Sequence, residues 1–165
     1  MSSILRTMEF LALSLWLGSD VFLSFVVAPG AFRTLANRDQ AGTIVGHSLW
    51  WLHFLGVTCG IVFLVARLLR SRALLSLVAP SALCVMLMIL LTVVSQHAVS
   101  PKMAALRLQM GSIQATRADS ALLAEFSRLH RISVFLESGV LLAGLCALFL
   151  SVRELNPVTA SVRAQ

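Results

Sequence analysis

The chain has 165 residues, 58% of them hydrophobic and 12% charged, with a mean hydropathy of +0.90, whereas a soluble domain is about 45–50% apolar and about 25% charged. This excludes a soluble globular enzyme and a disordered chain. The formal charge of +6 comes from 13 Lys and Arg against 7 Asp and Glu, but the basic residues lie singly or in short groups between apolar runs, a membrane-flanking pattern and not a nucleic-acid surface.

A hydrocarbon core of about 30 Å takes about 20 helical residues to cross, so the length accommodates four spans with short connections. The predicted fold is all-α: an integral membrane four-helix bundle, one domain over residues 1–155, followed by a loose polar tail, 156–165. Span 1 is predicted at about 10–32 and is interrupted by Pro29-Gly30. Its apolar run is longer than a signal-peptide core and carries Glu9 and Asp20, which reads as a retained span. Span 2 covers about 42–66 and closes on Arg67, Arg70 and Arg72; span 3 follows at about 73–96, with Ser100-Pro101 as its expected helix stop. Between spans 3 and 4 an amphipathic helical connection is expected over 102–131. Met103, Leu106, Met110 and Ile113 recur at helical spacing opposite Lys102, Arg107 and Gln109. It should lie on the membrane surface or project as a docking hairpin. Span 4, about 132–152, continues from it as one long helix. Cys59, Cys84 and Cys146 fall in apolar runs without CxxC spacing, so disulfides and a metal site are not expected.

At 100 degrees per residue the helix faces can be computed. On span 2, Gly42, Gly46, His53, Gly56 and Gly60 share a stripe, two GxxxG patterns that suit a helix-packing or partner interface and turn His53 into protein. On span 1 the stripe is Glu9, Leu13, Trp16, Asp20, Leu23 and Val27; on span 4 it is Phe126, His130, Ser133, Glu137, Leu141 and Gly144. His97, at the end of span 3, lines up with Met86, Leu90 and Val93. Because alternate spans reverse direction, His97 and His130 are expected on one rim, with Glu137 roughly 10 Å deeper and His53 with Asp20 nearer mid-membrane. Ionised carboxylates in hydrocarbon are costly, so Asp20 and Glu137 should be protonated or partnered. His53, His97, His130, Asp20, Glu137 and Ser133 therefore form the candidate polar or cofactor site, suited either to interhelical hydrogen bonding or to haem, chlorin or quinone. Trp50-Trp51 reads as an interfacial aromatic belt that would also serve a partner.

Several stretches resemble the transmembrane protein 205-like family, small four-span proteins carrying a domain of unknown function. They are Trp16-Leu17-Gly18, Phe22 to Phe25, Ala28-Pro29-Gly30-Ala31-Phe32-Arg33-Thr34-Leu35, Ser100-Pro101 and Phe126-Ser127-Arg128-Leu129-His130-Arg131-Ile132-Ser133. The resemblance implies a fold and a topology, with no reaction attached, and adds weight to His130 and Ser133. The chain departs from it at Glu137, where the resemblance implies a neutral amide in some relatives.

The functional expectation is a non-enzymatic accessory subunit with no catalytic residues, packed against a larger respiratory or photosynthetic membrane complex through the span 2 glycines or the 3–4 hairpin. The alternatives are a haem-, chlorin- or quinone-binding redox protein and an oligomeric small-solute transporter with Asp20 and Glu137 in its path. Expected partners are membrane lipids, other integral membrane subunits and a second copy of the chain, with no nucleic acid. The bacterial inner membrane is the expected location. Arg6, Arg67, Arg70, Arg72, Arg153 and Arg163 on one side nearly balance Arg33, Arg38, Lys102, Arg107, Arg117, Arg128 and Arg131 on the other. The compact 2–3 cluster tips the expectation to cytoplasmic termini.

Overall fold

Four helices are long and apolar enough to cross a membrane in the computed structural model, which describes residues 2–155: Ser2–Thr34, Arg38–Ser71, Pro80–Met110 and Ala121–Arg153. The predicted tail, 156–165, lies outside the described residues. The first span consists of α1 (Ser2–Phe22), a π-helical turn (Leu23–Val27) and α2 (Ala28–Thr34). The second is the uninterrupted α3 (Arg38–Ser71). The third consists of α4 (Pro80–Val94), a second π-helical turn (Ser95–Val99) and α5 (Ser100–Met110), and the fourth is α6 (Ala121–Arg153). All the regular structure among the described residues is helical, and the protein is an all-α integral membrane bundle.

Local chemistry sets the boundaries. The Asn37 side chain caps α3, accepting from the Asp39 N–H at 2.8 Å and the Gln40 N–H at 3.4 Å. Arg72 ends α3 in the left-handed conformation, φ 53°, with its N–H on the Leu68 carbonyl. A short 3-10 turn, Leu74–Val78, then leads to Pro80 in the first turn of α4, so the third span starts later than residue 73. Gly111, at φ 67°, ends α5.

Each span packs against its neighbours in sequence and the fourth returns to the first, an up-and-down ring. In lipid the hydrophobic effect does not drive helices together, so close packing must. Trp16 fills the centre: a Cβ at Gly56 would collide with its indole ring, and one at Gly60 would lie 2.8 Å from both Trp16 and Ile89. Gly144 likewise makes room for Leu17 and Met88.

One expectation changes, and one left open is resolved. Ser100-Pro101 does not stop the third span. The π-helical turn before it widens the backbone, and the Ser100 hydroxyl donates to the Ser95 carbonyl at 3.1 Å, so the helix continues to Met110 despite the proline. Of the two arrangements expected for 102–131 the structure has the hairpin: α5 prolongs the third span, the start of α6 prolongs the fourth, and the two pack together. A carboxylate fastens the hairpin to the second span, since Asp39 accepts from the Ser112 hydroxyl at 2.6 Å and the Ile113 N–H at 2.8 Å.

Candidate functional site

Three spans contribute to a polar cluster around His53, which is 4% exposed. Its Nδ1 lies 2.7 Å from Gln96 Oε1 and its Nε2 lies 2.7 Å from Glu137 Oε1. A carboxamide oxygen only accepts, so Nδ1 carries a proton, and the Nε2···Oε1 pair holds a further proton between imidazole and carboxyl. The Ser95 hydroxyl donates to the same Glu137 oxygen at 3.2 Å. Asp20, 2% exposed on the first span, receives the Ser24 hydroxyl at a long 3.4 Å on Oδ1, while its buried Oδ2 has no hydrogen-bond partner. The buried Thr92 hydroxyl is also unpartnered. Both π-helical turns adjoin the cluster. Ser24 belongs to the first, and Ser95 and Gln96 to the second, consistent with the frequent use of such turns at functional sites.

The cluster lies at mid-depth. Fourteen residues, roughly 21 Å of helix, separate His53 from Asp39 and from Arg67 alike. At 34 residues α3 is about 51 Å long, against about 30 Å of hydrocarbon, so its ends project and His53 is left in the middle. Around Arg67 a second network ties all four spans together at the end bearing the described chain termini. Arg67 donates to Glu154 at 2.6 Å, to the Ser81 hydroxyl at 2.8 Å and to the Ser76 carbonyl at 3.0 Å. Arg70 donates to Glu9 at 2.6 and 3.2 Å, and Ser81 donates to Glu154 at 2.7 Å.

Between that network and the cluster the buried core is apolar. Leu13, Trp16, Leu17, Cys59, Phe63, Val85, Met88, Val140, Ala143 and Ala147 pack into one buried core. Toward the other end the path from Glu137 runs past Ser133, one helical turn away and buried. The Glu137 side chain retains 16% exposure. The cluster thus meets an apolar core on the side of the chain termini, while the hairpin half buries Ser133 together with Leu23, Leu52, Val99 and Leu106.

Of the sequence-derived candidates, His53 and Glu137 are in contact, Asp20 approaches them from the first span and Ser133 lies a turn from Glu137. His97 and His130 are exposed and stand apart from this group. The line Met86, Leu90, Val93 and His97 faces outward, because the third span buries its small and polar side, Ser81, Ala82, Val85, Thr92 and Ser95. Gly56 and Gly60 face Trp16 inside the bundle, and Gly42 and Gly46 receive the Arg107 guanidinium, which also lies over Phe126 at 5.8 Å. This glycine stripe is therefore occupied from within. Trp50 and Trp51 are exposed as an edge-to-face pair at 4.8 Å, with Trp51 Nε1 donating to His47 at 3.2 Å. The sequence reading missed Gln96, Ser95 and Thr92, and it took Arg67 and Arg70 for membrane flanks when they are half of a network of ion pairs.

Both ring nitrogens of His53 are engaged, by Gln96 and by Glu137. Among the described residues no three His, Cys, Asp or Glu side chains gather as a metal site.

The model of one protein family, a domain of unknown function (DUF4149), matches residues 11–112. The chain belongs to this DUF4149 family. Asp20, His53, Gln96, the first span from residue 11 onward, the second and third spans and the Trp16–Gly56 contact fall inside the matched region; Glu9, Glu137 and α6 lie beyond it. No curated protein and no solved structure matches the chain.

Proposed function

We propose that this DUF4149 protein is a non-enzymatic membrane subunit whose Asp20–His53–Glu137 cluster binds a proton drawn from the hairpin side of the bilayer. The observation that carries this reading is His53 held between Gln96 and Glu137 at 2.7 Å each, beside the unpartnered Asp20 oxygen, with the apolar core toward the chain termini and the buried Ser133 one turn from Glu137 toward the hairpin. Ionisable groups at membrane depth are rare and costly and mark ion or substrate pathways and proton relays. The apolar core argues against a continuous path for a solute in this arrangement and favours a dead-ended proton site. In such a site protonation changes the hydrogen bonds that hold the second and fourth spans together. The setting is a bacterial inner membrane, and the likeness to the transmembrane protein 205-like family adds a shared four-span topology to the reading.

The test is infrared difference spectroscopy of the reconstituted protein between about pH 5 and 8. A carboxyl band that titrates in the wild type and disappears in Asp20→Asn or Glu137→Gln is expected. If neither substitution changes the titration while the fold persists, the cluster is structural. A partner subunit, on the accessory-subunit reading, would be received on the exposed Trp50–Trp51–Phe54 face, because the glycines are occupied. Loss of co-purification in a Trp50→Leu/Trp51→Leu variant is the corresponding check, and retention would exclude that face.

A further inference from the structure

At the end bearing the described termini, a groove of about 530 Å³ runs between the start of α1 and the end of α3, lined by Ile4, Leu5, Leu68, Leu69, Arg72 and Leu74. Its volume falls in the range of ligand sites, about 300–1,000 Å³. Its walls are aliphatic, with a single cation among them. Of the three arginines clustered here, Arg67 is committed to Glu154 and Arg70 to Glu9, while Arg72 has no carboxylate within ion-pair distance among the described residues. The 3-10 turn beside it carries Leu74 and Leu75 at 75% and 79% exposure. Exposed aliphatic area of that kind costs about 25 cal/mol per Å² in water, so the turn belongs in the membrane interface, and the groove opens toward lipid tails with Arg72 at headgroup level.

We propose that this groove binds an anionic phospholipid, one acyl chain along its aliphatic wall and the phosphate paired with the Arg72 guanidinium. The charge decides the occupant. A fatty tail alone would not need the cation, a zwitterionic headgroup would bring its own counter-charge, and a second copy of the apolar chain would leave Arg72 unpaired. Guanidinium binds phosphate through two parallel hydrogen bonds, which a point charge cannot do.

The experiment is native mass spectrometry of the delipidated full chain in detergent, titrated with short-chain phosphatidylglycerol, short-chain phosphatidylcholine and inorganic phosphate. Phosphatidylglycerol adducts are expected to form preferentially. They should weaken about tenfold in Arg72→Asn, the loss of one charge-assisted pair, while phosphatidylcholine binding stays unchanged. Asparagine tolerates the left-handed backbone at this position. Arg33→Asn, at the opposite end, should bind as the wild type does. Ile4→Trp, which fills the groove from its open side without touching the Arg72 cap, should reduce phosphatidylglycerol adducts whether or not Arg72→Asn folds. Equal binding of the two lipids, displacement of phosphatidylglycerol by inorganic phosphate, or unchanged binding in Ile4→Trp would overturn the proposal. A dimer mass that shifts with Arg72→Asn in the absence of lipid would do so as well.

Discussion

His53 and Glu137 act as one unit. With Nδ1 committed to Gln96, the proton between Nε2 and the carboxyl is shared by the pair. Interhelical hydrogen bonds in membranes average about 0.6 kcal/mol and reach about 1.7, because the separated helices still find partners in the bilayer. This one joins two ionisable groups and belongs at the upper end. A double-mutant cycle of His53→Ala and Glu137→Ala, read by unfolding in mixed micelles, should give a coupling above about 1 kcal/mol; a coupling near zero would separate the two residues. Asp20, His53 and Glu137 were legible as inward-facing because each lies within an unbroken helical stretch, where the rotational phase is local arithmetic. Gln96 was not, because the π-helical turn at 95–99 shifts the phase where the sequence pattern is being extrapolated. His97 misleads for a second reason: in a membrane the most hydrophobic line, here with Leu90 and Val93, faces lipid while smaller and polar residues face the partner helix.

At the scale of the element, the spans were readable from apolar length, since every backbone group in the bilayer must be satisfied within a helix. The continuity of the third span through Pro101 was not. A proline reads as a stop unless the preceding turn is known to be widened, as Ser95–Val99 is. The GxxxG pairs show the same limit. Small residues announce close approach, but the sequence does not say whether a helix, an indole or a guanidinium approaches. Gly56 opens onto the Trp16 ring, whereas nothing lies within 4 Å of a Cβ built at Gly18. Gly56→Ala should therefore destabilise the bundle by about 1–3 kcal/mol through overpacking. Gly18→Ala should be neutral or stabilise by up to about 1 kcal/mol through helix propensity. Unfolding in mixed micelles compares the two directly, and equal effects would mean that the Trp16 contact is not what selects glycine at position 56.

The whole molecule is a bundle with two fastened ends and a titratable middle, and the ends differ in kind. The Arg67 network joins all four spans through charged groups, so Arg67→Met strands Glu154 and Ser81 and should cost about 3 kcal/mol, with partial recovery when Glu154→Leu is added. An additive loss in the double variant would show that the two side chains do not stabilise each other. The hairpin end is held by a lighter clasp, Asp39 on Ser112 and Ile113, and on that side the buried Ser133 lies one turn from Glu137. On the proposed reading the proton enters from the hairpin side, past Ser133. Trp16, Phe63, Met88 and Val140 close one approach with buried apolar side chains, and a proton does not cross such a layer without water or a titratable group to carry it. Narrowing the other approach should then slow the cluster and leave its equilibrium titration intact. Ser133→Leu fills the turn beside Glu137, whereas Ser138→Leu, on the exposed face of the same helix, adds the same bulk toward lipid. After a rapid pH jump, the carboxyl band should relax about tenfold more slowly in Ser133→Leu, a barrier increase of about 1.4 kcal/mol, and at the wild-type rate in Ser138→Leu. Equal rates in all three proteins would show that the proton reaches His53 by a route other than the hairpin side.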